Sequence, residues 1–361
     1  MILHIAPDYI NKPLYQNLLE ALALHDIAVK QYVYACDNAK HEMQAVPDNV
    51  HIVNRSFSAI ERLLFFPKQQ YLLRDIESVV PLKDVKIIHA HTLFSSGYMA
   101  YRLYQKYGIP YIVAVRNTDV NVFFKYMQHL RPIGRKIAKD AQKIIFISPA
   151  YKNQVLRTYL PQEFERKVVV IPNGIDPLFL ENTSHHSMSE EIRLIYVGRM
   201  EKAKNVHTII KVADSLRQED IKVKLCLVGS LLCPEYKELI EARKDYIEWH
   251  DQCSKEEVLK YMRENDIFIM PSYKETFGLV YAEAMSQGLP VIYTKGQGFD
   301  GFFKEGEVGY DVMPDDIVDI KDKIKRIIQN YDTISLRCQQ YASMFDWKNI
   351  AVEYNTIYQT I

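Results

Sequence analysis

Short apolar runs alternate with helical patterns along this chain, and no other feature restricts its fold as much. Met1–Ala6, Ile27–Tyr34, Val85–His89, Ile109–Val115, Lys143–Ile147 and Val168–Ile171 form one set of runs. Arg193–Val197, Val223–Val228, Tyr246–Trp249, Ile267–Met270 and Val291–Tyr293 form a second. Runs of this length, mostly apolar and bounded by turn residues, read as buried strands. Strands that alternate with helices build βαβ units and parallel sheets. Between the sets lies Glu181–Glu191, polar and aperiodic, which reads as the linker; its His185 and His186 read as solvated linker residues. A chain of 361 residues has room for two cores. The expected class is α/β, with two Rossmann-like domains over residues 1–180 and 190–344. Helical patterns over Asp315–Asn330, Ile334–Met344 and Trp347–Thr360 follow.

Composition removes several classes. Hydrophobic residues at 48% and charged residues at 25% suit a soluble globular protein rather than a disordered one. No apolar run approaches the roughly 18–20 residues of a membrane span. The start, Met-Ile-Leu-His-Ile-Ala-Pro-Asp, lacks the basic segment and long apolar core of a signal peptide. Five scattered cysteines with no CxxC imply reduced thiols in a cytoplasm, without a disulfide framework or a zinc site. The net charge of zero hides an asymmetry. Residues 1–180 carry 22 cations against 15 carboxylates, and the remainder 23 against 30. Eight cations and one carboxylate lie in 122–158. That excess fits a solvated helix face, or contact with an anionic lipid surface or anionic acceptor. Ser56–Lys68, apolar and aromatic with flanking cations, reads as a core helix, with a membrane-surface helix as the alternative. No nucleic-acid partner is expected.

Residues 275–290 carry the most chemistry. Glu275 and Glu283 stand eight positions apart, the first after a strand that ends at Pro271, the second inside a helix that stops at Gly288 and Pro290. Phe277, Gly278 and Leu279 offer backbone N–H groups at the helix start, a site suited to phosphate. A carboxylate on either side can accept hydrogen bonds from sugar hydroxyls. Phosphate in the middle and hydroxyls at both ends describe a nucleotide sugar. Upstream, Tyr196–Asn205 runs strand, glycine turn, then cations before a helix. Arg199 can bind diphosphate oxygens through its planar fork and Lys204 as a point charge, and on chemistry alone Lys202 competes with Lys204.

The string Pro271–Val291 resembles, almost position for position, the E-x7-E element of retaining glycosyltransferases of the GT-B fold, specifically family 4. Gly198, Arg199 and Lys204 match that family's G-R-x-x-x-x-K segment, which Lys202 matches less well, so that Lys202 reads as solvated. The resemblance covers nearly the whole chain and is strongest in 190–300. It implies two Rossmann-like domains facing across a cleft, with the acceptor on the first and the donor on the second. Ile171–Asp176 resembles the interdomain P-N-G-hydrophobic-D element. Phe345–Ala351 resembles the start of a last helix that crosses back near 340–350, which assigns about 345–361 to the first domain. By resemblance Glu275 holds sugar hydroxyls, Glu283 the ribose, and Arg199 and Lys204 the diphosphate. Gly198 and Gly229 lie near the nucleotide, Gly229 with a packing role as the equal alternative. The loop His250–Gln252 reads the base. The implied reaction moves a hexose from a nucleoside diphosphate, UDP by preference, to a hydroxyl, with retention by front-face displacement. It needs no metal and no cofactor beyond the nucleotide sugar. The implied acceptor is a surface glycan or its lipid-linked precursor, and the implied place is cytoplasmic or peripheral at the inner face of a membrane.

In the first half, Val85–His91 resembles the family's strand ending in a histidine pair. His89 reads as buried structure and His91 as facing the cleft from the strand mouth; neither has metal spacing. Ile109–Asp119 resembles a strand followed by H-G-T-D, with Arg116 and Asn117 in place of His and Gly. Arg116 then stabilises the departing phosphate, binds an anionic acceptor, or marks reduced activity. Asp119 contacts the acceptor hydroxyl or caps the following helix. The family's glycine-rich first loop is replaced by Ala6–Pro13, where Lys12 and backbone N–H groups are the substitutes. Two rivals remain open here. One is a non-catalytic nucleotide-sugar-binding accessory subunit. The other is a dinucleotide-dependent oxidoreductase, against which Gly296–Gly301 lacks the helix and acidic partner of a dinucleotide fingerprint.

Overall fold

A computed structural model describes residues 1–7, 9, 13–24, 31–35, 48–53, 57, 58, 61, 64–184 and 187–361. Lys12, His185 and His186 lie outside the described residues, as do five positions of 56–68. The chain forms two compact units. The first comprises Met1–Ile147, Lys152–Pro172 and Trp347–Ile361; the second comprises Ser148–Tyr151 and Asn173–Asp346.

The first unit holds a parallel sheet in the order β3-β2-β1-β4-β5-β6-β7. Its strands are β1 (Ile2–Ile5), β2 (Gln31–Ala35), β3 (Val50–Ile52), β4 (Ile87–Ala90), β5 (Tyr111–Val115), β6 (Lys143–Phe146) and β7 (Val168–Val170). Every residue of β1, β4 and β5 is buried, which is why these strands, His4 and His89 apart, are apolar without alternation. The helices Pro13–Leu24 and Trp347–Gln359 pack on one another over the sheet. Leu18, Leu22, Ile350, Ala351 and Ile357 share a core with Ile2, Ile112 and Ile145. The helix Ser95–Tyr107 stops at Gly108, which takes the left-handed conformation at φ 71°.

The second unit holds a parallel sheet in the order β10-β9-β8-β11-β12-β13. Its strands are β8 (Ile192–Val197), β9 (Val223–Val228), β10 (Ile247–His250), β11 (Ile267–Ile269), β12 (Val291–Thr294) and β13 (Gly309–Val312). The polar stretch 181–191 is attached to this unit: the Ser189 N–H and hydroxyl both donate to Asp266 Oδ1. The strands β3 and β13 have no counterpart among the apolar runs. The first is three half-buried residues; the second, Gly-Tyr-Asp-Val, has no apolar run to see.

Each sheet reverses strand order once, between β1 and β4 in the first unit and between β8 and β11 in the second. Open parallel sheets receive ligands outside the carboxyl ends of their strands at such reversals.

Candidate functional site

The second unit gathers its chemistry at the carboxyl ends of β8, β9, β11 and β12. After β8 the chain turns at Gly198, whose N–H donates to Val228 O at 2.9 Å. Gly229 follows β9 at φ 133°, and a Cβ there would stand 2.1 Å from Gly198 O. The two turns thus close backbone to backbone, a packing role that demands glycine at 229. Arg199 extends from this turn with 68% of its side chain exposed and one contact, 3.5 Å, to Glu201. Lys202 is more exposed still, as a solvated lysine should be.

Lys202–Lys204 form one 3-10 turn, which ends at Asn205 with φ 59°. Asn205 is fully buried, and its Nδ2 donates to Pro271 O at 3.0 Å and Pro314 O at 2.7 Å. This lock aims Lys204 at the loop after β11, where Lys204 Nζ lies 2.7 Å from Glu275 Oε2. Both side chains are mostly buried, 19% and 14% exposed. Glu275 is held from three further directions. Its Oε1 accepts the Thr276 N–H at 2.9 Å, its own N–H donates to Gln297 Oε1 at 3.1 Å, and its carbonyl accepts the Gly298 N–H at 2.9 Å. A Cβ on Gly298 would meet Phe277 N at 2.5 Å, so only glycine lets the loop after β12 lie against this segment.

The helix Leu279–Ser286 begins at Gly278, which is left-handed at φ 78°. The ring of Phe277 is buried among Phe302 and Phe345, so this residue has only backbone to offer a ligand. As at any helix start, the first N–H groups, Leu279 among them, have no intrahelical acceptor and favour an anion. Glu283 is half-buried on this helix. Burial pushes its carboxyl up to about 7; Asp176 adds to the rise and Lys255 opposes it. Asn205, Gln297 and Gly298 are the positioning residues that sequence reasoning assigned no role. The glycines of 296–301 were the available signal for the last two.

In the first unit the outcome differs. Asp119 is fully buried, and both its carboxylate oxygens accept backbone N–H groups: Leu93 at 3.0 Å, Phe94 at 3.0 Å and Arg116 at 2.8 Å. It braces the turn after β4 that leads into the helix Ser95–Tyr107, instead of capping the segment that follows it, and both its oxygens are taken up by backbone N–H groups. Burial raises its carboxyl to about 6 against those three hydrogen bonds and the Arg116 charge. Arg116 is itself nearly buried at the end of β5.

His91, expected at the strand mouth, is fully buried with His89 and with His4, which pairs with His89 across β1 and β4. His4 Nδ1 and His91 Nε2 lie 3.1 Å apart, and His89 Nδ1 bonds Tyr358 Oη at 2.7 Å. Burial pushes His4 down to about 3 and holds the other two well below the usual histidine range, so all three are neutral. One ring nitrogen from each lies within 4.8 Å of the others, a metal-ligand set by residue type. The Arg116 charge that helps depress His89 and His91 opposes a further cation in the same buried space.

Comparison with known proteins agrees with this fold. The family described as Glycosyl transferases group 1 matches residues 181–344, and Glycosyltransferase Family 4 matches residues 15–178. An uncharacterized glycosyltransferase of Methanocaldococcus jannaschii is 24% identical over 297 residues, 79% of this chain and 78% of the relative. Sucrose-phosphate synthase of Thermosynechococcus elongatus superposes with a TM-score of 0.74 at 19% identity, over 99% of this chain and 98% of that one. HepE of Anabaena, solved in complex with UDP, superposes at 0.74 and 16% identity over the whole of both chains. The same protein is also solved with UDP-glucose. The fold is therefore GT-B, two Rossmann-like units each built on a parallel sheet.

Proposed function

This chain belongs to the group 1, family 4 glycosyltransferases, and we propose that it moves a hexose from a UDP-sugar to a hydroxyl of a glycan or lipid-linked glycan, with retention and without a metal. The contact between Lys204 and Glu275 across the β8–β11 reversal carries this reading. It places a cation and a carboxylate side by side at a sheet's ligand edge, beside a helix start with free N–H groups. In the reading, Arg199, Lys204 and the N–H groups near Leu279 take the diphosphate, and their charge matches what develops on the leaving group. Glu275 turns its carboxylate to the sugar hydroxyls, and Glu283 holds the ribose. The likeness to a protein solved with UDP and with UDP-glucose supports the choice of base and a glucose-like donor.

The test is thermal stabilisation by UDP, GDP, ADP and NAD, because a ligand that binds only the folded state raises the melting temperature. UDP is expected to stabilise the protein, and Arg199→Ala to weaken its binding about ten- to a hundredfold, the worth of a hydrogen bond to a charged group. Stabilisation by GDP or ADP instead would change the donor. No shift with any of the four, at millimolar ligand in a folded sample, would sink the donor site. Product stereochemistry by NMR, and turnover after chelation, test retention and metal independence.

A further inference from the structure

Three helices of the second unit are tied to one another by side chains, and one of them carries Glu283. Asp176 stands at the start of the helix Pro177–Glu181, where its Oδ1 accepts the Leu178 N–H at 3.0 Å. Its Oδ2 accepts a hydrogen bond from Lys255 Nζ at 2.5 Å, and Lys255 is the first residue of the helix Lys255–Arg263. At the far end of that helix, Arg263 Nε donates to Gln287 Oε1 at 3.1 Å. Gln287 follows the helix Leu279–Ser286, on which Glu283 lies. Its Nε2 donates to the carbonyl of buried Phe179 at 2.8 Å, which returns to the first helix.

The pair at the first tie is a weak brace. Lys255 is 60% exposed and Asp176 27%, and an ion pair this open to water contributes little to stability. Its charges nonetheless reach Glu283. Burial pushes that carboxyl up to about 7; Lys255 opposes the rise, and Asp176 adds to it more weakly. Against its own burial, the Lys255 hydrogen bond and the Leu178 N–H hold the Asp176 carboxyl below its ordinary range, so Asp176 keeps its charge at neutral pH. Among the described residues no other charge shifts Glu283. Glu181, and Asp332 and Arg337 on the helix Tyr331–Ala342 that packs on the Glu283 helix, are exposed. Tyr281, Tyr293, Tyr331 and Cys338, on the same or adjoining elements, stay protonated and neutral, because burial raises each of them. One cation and one anion, bonded to each other, therefore act on a single carboxyl in opposite senses.

We propose that Lys255 and Asp176 are positioning residues that act through Glu283: their two charges decide how far that carboxyl is ionised when a donor arrives, and so the pH range over which the protein takes up its donor. The effect on donor uptake rests on the reading of Glu283 as the ribose ligand; the coupling of the pair to Glu283 does not.

The test uses the full chain labelled with carbon-13 at the glutamate carboxyls. NMR follows the Glu283 signal, identified by its loss in Glu283→Gln, from about pH 5 to 9, and calorimetry follows UDP binding over the same range. Lys255→Gln should move the Glu283 midpoint up by roughly half a pH unit. Asp176→Asn should move it down by less, and asparagine still caps the helix. At about pH 7 UDP affinity should fall about twofold in the first variant and rise slightly in the second. The nucleotide's own titration is common to all samples. In roughly 0.5 M salt the parent midpoint should rise and the Lys255→Gln difference shrink, because exposed charges are screened. A change in packing alone weakens binding but does not move the midpoint in opposite directions in the two variants. Midpoints that stay in place, or move together, in folded samples overturn the coupling. Opposed midpoints with a UDP profile that ignores them uphold the coupling, overturn its effect on donor uptake and remove Glu283 from the ribose.

Discussion

Glu283 turns an ordinary carboxylate into a group that titrates near neutrality, at about 7. If its ionised form accepts ribose hydroxyls, UDP affinity falls as pH drops below 7, approaching tenfold per unit. Calorimetry at pH 6 and pH 8 reads this directly, and Glu283→Gln should flatten the profile apart from the nucleotide's own titration. The same shift has a sign for folding. A carboxyl raised above its usual 4.5 adds stability that is complete below that value and lost as pH rises through 7. Glu283→Gln should therefore melt above the parent at pH 8, with the difference closing toward pH 4–5. Equal melting at pH 8 would contradict the raised value. Residue chemistry in a strand–turn–helix context pointed to Glu275, Glu283 and Arg199, and the family resemblance chose Lys204 over Lys202. Asn205 and Gln297 were not legible. Their hydrogen bonds reach segments 66 and 22 residues away, and no local pattern encodes such a partner.

Among the elements, strands buried on both faces were easy to read, since nearly every residue is apolar. Two of the edge strands were not: β13 carries Gly309 and Asp311, and β3 is three residues interrupted by His51, although the edge strands β7 and β10 fell on apolar runs. The turn after β5 was misread for a related reason. A short carboxylate before a helical segment suggests a cap for that segment, yet Asp119 reaches back 26 residues to Leu93 and braces the loop after β4. Asp119→Asn leaves one carbonyl oxygen for three N–H donors, at a cost on the order of 1–3 kcal/mol. The melting temperature should fall by several degrees. Substrate turnover by the remaining folded enzyme should change little. A variant with parental melting behaviour and no turnover would restore Asp119 to the acceptor site.

For the whole molecule, two-unit α/β architecture was visible in the spacing of apolar runs, and the resemblance put the passages between units in Ile171–Asp176 and near 340–350. The polar stretch 181–191 marked itself by composition, yet it is bonded into the second unit, and the contact boundary falls at Pro172–Asn173. The first unit also carries the buried, neutral histidines. Their lowered proton affinity contributes stability above the usual histidine range, lost progressively as pH falls from about 6.5 toward 3. The first unit should then unfold in acid before the second, and His4→Phe should move that transition to lower pH, followed by circular dichroism and fluorescence. An unchanged acid transition would show that the histidines do not set it. The helix Trp347–Gln359, which supplies Ile350, Ala351 and Ile357 to the first unit's core, has a consequence during synthesis. Although most of that unit leaves the ribosome first, its hydrophobic surface stays open until the second unit has been translated, on the order of ten seconds or more at roughly 5–20 residues per second. A nascent chain of this design folds its second unit while the first still waits, and that interval is when chaperones would find it.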